Sequence, residues 1–187
     1  MPGFGDASPA RDSLFLAVLP DAATAARLEA IGRDIWDREG LSGTRIPTER
    51  LHVTLCALGT HAGIPPGFVI AASSAAAALS ARPFAFTFDR AMSFAGGKSK
   101  PLVLCGGENT GALLAFRQAL AAALVAQGLG PSRTSGFTPH VTLGYAQREI
   151  APCAVAEVRW DVAAFALVHS VQGESRHVVL ARWLLRA

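Results

Sequence analysis

The sequence predicts an α+β fold with mixed or antiparallel sheets, on three observations. Short apolar runs of strand character are interleaved with Ala-rich segments of helical character, so both element types belong to one body. Several strand segments alternate apolar and polar residues or sit beside tight turns, which favours hairpins over a doubly wound parallel sheet. No linker interrupts residues 14–187, so a flexible N-terminal tail over residues 1–12 and one domain over residues 13–187 are expected.

The elements follow in order. "LFLAVL" (14–19) is a continuous apolar run stopped by Pro20, as in a buried strand. Asp21 can cap a helix in which Leu28, Ile31 and Ile35 recur at helical spacing, with Gly40 beyond its end. "RLHVTLCAL" (50–58) reads as a strand. The prolines at 65 and 66 open an Ala-rich helix to about Ala81, closed by "RP" at 82–83. Phe84, Phe86 and Phe88 alternate with Ala85, Thr87 and Asp89, which places three rings on one face of a strand. The turn "GGKSKP" (96–101) then leads into "LVLCG" (102–106) as a hairpin.

Asn109 or Thr110 can cap a third helix, whose Leu113, Phe116, Leu120 and Leu124 form one apolar stripe before Gly128. After the loop "GPSRTSG" (130–136) comes a strand in "FTPHVTLGYA" (137–146). Two long strand candidates close the chain, "EVRWDVAAFALVHS" (157–170) and "RHVVLARWLL" (176–185), joined by "VQGES" (171–175).

Composition narrows the function classes. With 51% hydrophobic and 17% charged residues, the 187-residue chain has the apolar content of a globular domain and not of a disordered one. The net charge of +3 fits an anionic ligand, but the basic residues are scattered and form no nucleic-acid stripe. Three cysteines, Cys56, Cys105 and Cys153, argue against a disulfide framework and for a reducing, cytoplasmic compartment. No stretch approaches the length of a membrane span, and the first apolar run is too short for a signal peptide.

The chemistry concentrates in one repeated tetrapeptide, His-Val-Thr-Leu, at 52–55 and again at 140–143. Residues i and i+2 of a strand share a face, so His52 and Thr54 point one way and Val53 and Leu55 the other; the same holds for His140 and Thr142 against Val141 and Leu143. If the two strands lie side by side, two imidazoles and two hydroxyls converge on one cleft. That set suits phosphodiester chemistry: one imidazole takes a proton from water, the other protonates a departing alkoxide, and the hydroxyls hold the non-bridging oxygens.

No metal or cofactor is needed, and none is expected. His61, in a Gly/Pro-rich loop, and His169 and His177, on strands, have no Thr two places on and read as structural or solvated. The histidines and cysteines lack dense metal-ligand spacing, and "CGGENTG" (105–111) lacks the Lys-Ser/Thr of a P-loop.

Beyond the tetrapeptides, "LFLAVLP", "RIPTERLHVTLCALG", "FAFTFDRAMSF" with "PLVLC", "GFTPHVTLGY", "FALVHS" and "RHVVLARWLL" follow in an order that resembles the 2H phosphoesterases, and within them the LigT-like RNA 2′,3′-cyclic phosphodiesterases, over residues 14–185. The resemblance implies two pseudo-symmetric lobes of mostly antiparallel sheet flanked by helices, with a His-x-Thr from each lobe in a central cleft.

It further implies that His52 donates a proton to the leaving ribose oxygen, that His140 accepts one from water, and that Thr54 and Thr142 hold the phosphate. The expected reaction opens 2′,3′-cyclic phosphate, on RNA ends or small nucleotides, to a 2′-phosphomonoester, carried out by a monomer away from membranes. Two alternatives stay open: 2′,5′ ligation of RNA ends, and a non-catalytic module that binds RNA ends or nucleotides.

The sequence departs from the family near the second motif. Where relatives carry an arginine soon after it, Gly144 and Tyr145 stand here, and Arg133 lies two places too early to match a basic residue before "FTPH". Arg45, Lys98, Lys100 and Arg148 are the candidate substitute cations. Phe15, Phe137 and Tyr145 are candidates for base stacking, although Phe15 and Phe137 sit in apolar surroundings that suit core packing.

Overall fold

Turn residues and burial patterns sort the strand segments into two antiparallel sheets. The structure is a computed structural model, and it describes residues 12–106, 108–130, 136–171 and 176–186. Of the tail expected over residues 1–12, Asp12 is already the first residue of a strand, and residues 1–11, Arg133 with most of its loop, and residues 172–175 of the last connection lie outside the described residues.

The elements are β1 (Asp12–Val18), α1 (Ala22–Arg38), β2 (Gly43–Arg45), β3 (Val53–His61), α2 (Pro66–Ala77), β4 (Phe84–Ser93), β5 (Lys100–Cys105), α3 (Gly111–Ala126), β6 (His140–Ala146), β7 (Cys153–Val162), β8 (Ala164–Val171) and β9 (Arg176–Leu184). One sheet has the order β3-β1-β8-β9, the other β2-β6-β5-β4-β7.

Local chemistry accounts for the helices. Asp21 caps α1 by accepting the Thr24 N–H at 2.7 Å, and that bond lowers the Asp21 pKa. The stripe Leu113, Phe116, Leu120 and Leu124 is the buried face of α3, at the spacing the sequence shows. Thr110 occupies the N-cap position there, yet its side chain makes no capping hydrogen bond. Phe86 and Phe88 are buried around Trp160, with Phe86 stacked on the indole at 5.4 Å, and Phe84 meets Phe116 at 5.5 Å.

One strand candidate is corrected. Residues 157–170 do not form a single strand but divide at Ala163 between the two sheets, β7 in one and β8 in the other. The physical reason lies in the burial: Val158, Trp160 and Val162 alternate with exposed Glu157, Arg159 and Asp161, whereas Ala164 to Val168 are all buried in a central strand. Unbroken β propensity across the junction conceals this change of environment. The short strand β2, fully exposed and without apolar alternation, is a further element the sequence pattern does not signal.

The two sheets repeat one detail of register. On β3, Ala17 pairs Thr54 but Leu16 pairs Cys56; on β6, Val103 pairs Thr142 but Leu102 pairs Gly144. In each case the Leu after the Thr is the extra residue of a β-bulge, and the bulge changes the alternation of faces. Leu143, Gly144 and Ala146 are therefore all buried, while Tyr145 is exposed on the side of His140 and Thr142.

Gly144 is required by close packing. A Cβ there would lie 2.6 Å from a ring carbon of Trp36 and 2.9 Å from the Thr44 carbonyl oxygen. We expect Gly144→Ala to destabilise the protein by about 1–3 kcal/mol through overpacking, read as a lower urea midpoint; an unchanged midpoint would refute this account of the bulge.

Candidate active site

β3 and β6 are not neighbours in one sheet, as side-by-side strands would require. Each is in its own sheet, and the His-x-Thr faces meet across a cavity of about 330 Å³ lined by His52, Thr54, His140 and Thr142 together with Arg50, Tyr145 and His177. Convergence arises because the chain repeats a half-structure, with β3 beside β1 in one sheet and β6 beside β5 in the other.

The two histidines are held alike. His52 Nδ1 lies 2.7 Å from the Arg50 carbonyl and His140 Nδ1 lies 2.7 Å from the Thr138 carbonyl, each two residues upstream. A carbonyl only accepts, so each Nδ1 carries the hydrogen and each neutral ring keeps its lone pair on Nε2. At His52 that lone pair accepts from the Thr54 hydroxyl at 3.1 Å. Protonation at Nε2 leaves the Nδ1–H bond intact, so either ring can pass between neutral and charged forms without reorienting.

Aromatic neighbours fix the rings further. Phe15 stacks on His52 at 4.8 Å with 26° between planes, and His177 meets His52 edge-on at 5.1 Å. Phe94 meets His140 at 4.8 Å. Burial lowers the His52 pKa from its ordinary value; the Arg50 carbonyl bond acts against this, while His140 and the Arg50 charge add to it. Burial, with His52 and Arg50 nearby, takes His177 down to about 4, so it is neutral at pH 7.

The cations are distributed differently from the expectation. Arg45 lines a separate cavity of about 190 Å³ beside Arg33 and Leu143. Lys98 is exposed in the β4–β5 connection; Lys100 binds Glu149 at 3.1 Å and the Gly96 carbonyl at 2.9 Å; Arg148 is tied to the Glu39 carbonyl and carboxylate. Arg50 lines the cleft, and its Nε is buried without a hydrogen-bond partner among the described residues.

Arg50 ends a 3-10 turn over Thr48–Arg50 ahead of β3, so the strand read over residues 50–58 starts later, at Val53, and strand alternation gives no signal for this cation. His177 also departs from its structural reading, because it lines the cleft while His61 and His169 do not. His61 Nε2 donates to the Leu58 carbonyl at 3.2 Å, and His169 Nε2 stands 3.2 Å from an Asp12 carboxylate oxygen. Phe15 lines the cleft but is 8% exposed, its face covered by His52, so it packs and is not free to stack a base.

Arg117 of α3 connects the two motifs. Its Nε donates at 3.0 Å to the carbonyl of Leu55, the bulge residue after Thr54, and its guanidinium lies 4.1 Å from the ring centre of Phe137, three residues before His140. Phe137 is thereby occupied as a cation–π partner.

A family model for the 2′-5′ RNA ligase superfamily matches residues 13–174. The chain belongs to this superfamily, the 2H phosphoesterases. Among solved structures, apo LigT of E. coli is 21% identical, with a TM-score of 0.75 and coverage of 95% of this chain and 99% of LigT. LigT complexed with 3′-AMP is 22% identical, with a TM-score of 0.73 and coverage of 95% and 99%. A Thermus thermophilus protein, TT0787, is 24% identical, with a TM-score of 0.70 and coverage of 93% and 98%. At these identities the likeness shows the shared α+β fold of two antiparallel sheets. No curated protein matches in sequence.

Removing the Arg117 guanidinium takes away a hydrogen bond at the first bulge and a ring contact ahead of the second motif. Arg117→Met is expected to cost about 1–3 kcal/mol, visible as a drop of several degrees in Tm. A variant as stable as the parent would show that this bridge carries no strain between the lobes.

Proposed function

We propose that this 2H phosphoesterase is an RNA 2′,3′-cyclic phosphodiesterase, opening cyclic phosphate to a 2′-phosphomonoester by acid/base catalysis at His52 and His140. The observation that carries the reading is the convergence on one cleft of two Nε2 atoms, each ring oriented by its Nδ1–H bond to a backbone carbonyl, beside the buried Nε of Arg50, which has no hydrogen-bond partner among the described residues. A phosphate is the ligand such a donor lacks. LigT of E. coli, which shares the fold, has been crystallised with 3′-AMP, in keeping with a nucleotide ligand for this cleft.

In the proposed reaction His140 Nε2 takes a proton as the water oxygen bonds to phosphorus. The P–O3′ bond breaks, its electron pair goes to O3′, and His52 delivers its Nε2 proton there. One ring starts neutral and the other charged, and they end exchanged. Thr54, Thr142 and Tyr145 supply hydroxyl donors to the non-bridging oxygens, and Arg50 opposes the negative charge. Among the described residues, no group of three or more His, Cys, Asp or Glu side chains is placed to hold a metal ion.

The same cleft with a 5′-hydroxyl in place of water would join RNA ends through a 2′,5′ bond. The superfamily's name makes that the second reading. Incubating a cyclic-phosphate fragment with a 5′-hydroxyl fragment separates the two, since ligation gives a longer product. A binding module without chemistry would instead hold the fragment stoichiometrically and release nothing new.

His52→Ala and His140→Ala should each lower turnover of a nucleoside 2′,3′-cyclic phosphate by roughly 10²–10⁴, in EDTA and with the fold intact by circular dichroism; full activity in either variant ends the assignment. The pH profile of kcat/KM should be bell-shaped. Burial favours the neutral form of His52, so the acid limb is expected below the ordinary imidazole value of 6.5. Two limbs both at or above that value would contradict the burial argument.

A further inference from the structure

Cross-strand pairing places Ser13 opposite Ser170, and Ser170 opposite His177. Thr60 extends this row on the other side, paired with Ser13 and 3.2 Å from its hydroxyl. Ser13, Ser170 and His177 all line the cavity that contains His52 and His140. His177 touches Phe15 and His52 by ring contacts, but neither of its ring nitrogens meets a hydrogen-bond partner among the described residues.

The row has one chemistry throughout: neutral groups that both donate and accept. Neutral groups cannot compensate a phosphate, and the cavity already has Arg50 for that charge. They match ribose hydroxyls and nucleobase edges, which also donate and accept. Among the described residues the other lobe lines the cavity with no equivalent set; the strand that pairs with β6 there is β5, where Pro101 stands opposite Tyr145. This side of the cleft is thus lined by neutral polar side chains, with Arg50 nearby.

We propose that Ser13, Ser170 and His177 form a nucleoside-recognition row, which binds the sugar or base edge of a nucleotide whose phosphate lies between His52 and His140. This rests on the cyclic-phosphate reading for the identity of the substrate, though not for the binding itself. His177 is then a specificity residue that the motif pattern does not reveal, since the family-like tetrapeptides end far from it in the chain.

The test is calorimetric titration of the full chain with adenosine 2′-phosphate and with inorganic phosphate. His177→Phe keeps a ring against Phe15 and His52 while removing both nitrogens. It should weaken nucleotide binding about tenfold and leave phosphate binding within about twofold. Ser170→Ala, a smaller change, should weaken the nucleotide in the same selective way and stands in if the first variant fails to fold. Unchanged nucleotide affinity in both variants, or equal weakening of both ligands, would overturn the row.

A wild-type protein that binds the nucleotide selectively but leaves cyclic phosphate intact would end the phosphodiesterase reading and keep the row. A wild-type protein that binds neither ligand would end the row as well.

Discussion

The polar pair of each motif is held by the aliphatic pair interleaved with it. Val53, Leu55, Val141 and Leu143 are all buried, each at 4% exposure or less, so neither strand can rotate without exposing its anchors to water. Withdrawing two such side chains from a core costs several kcal/mol, far more than any single hydrogen bond in the cleft contributes. The strand period of two then leaves His52, Thr54, His140 and Thr142 no other face to occupy. Everything chemical in the cleft depends on that coupling between core and site.

The bulge after each Thr adds a second level of control. Because it falls at the same place in both sheets, it brings one further residue to the cleft side of each strand: Ala57 in one lobe, opposite Phe15, and Tyr145 in the other, opposite Pro101. The lobes share a frame but not a lining. One offers an aromatic and imidazole wall of Phe15, His52 and His177; the other offers Phe94 behind His140 with the Tyr145 hydroxyl at its edge. A symmetric scaffold with asymmetric walls is suited to a substrate whose two sides differ, as those of a nucleotide do.

Electrostatics refine the asymmetry. Arg50 stands two residues before His52, while the equivalent place before His140 is Thr138, so among the described residues the positive charge lining the cleft comes from one lobe. Burial, with that charge adding to it, lowers the pKa of both His52 and His177, and a bound anion would oppose the effect of the charge. No arginine directly follows the second motif in sequence, yet a guanidinium lines the cleft, supplied from the 3-10 turn ahead of β3.

By itself the sequence determined the α+β class, the three helices with the buried stripe of α3, and the two His-x-Thr pairs with their shared faces. Those are local quantities, readable from spacing, turn residues and period. Only the tertiary structure decided that β3 and β6 belong to different sheets, that residues 157–170 divide at Ala163, and that Arg50 and His177 line the cleft while Arg45, Lys98 and Arg148 do not. The reason is physical: which sheet a strand joins, and where a long charged side chain ends, are set by cross-strand partners distant in sequence, and no local pattern encodes them.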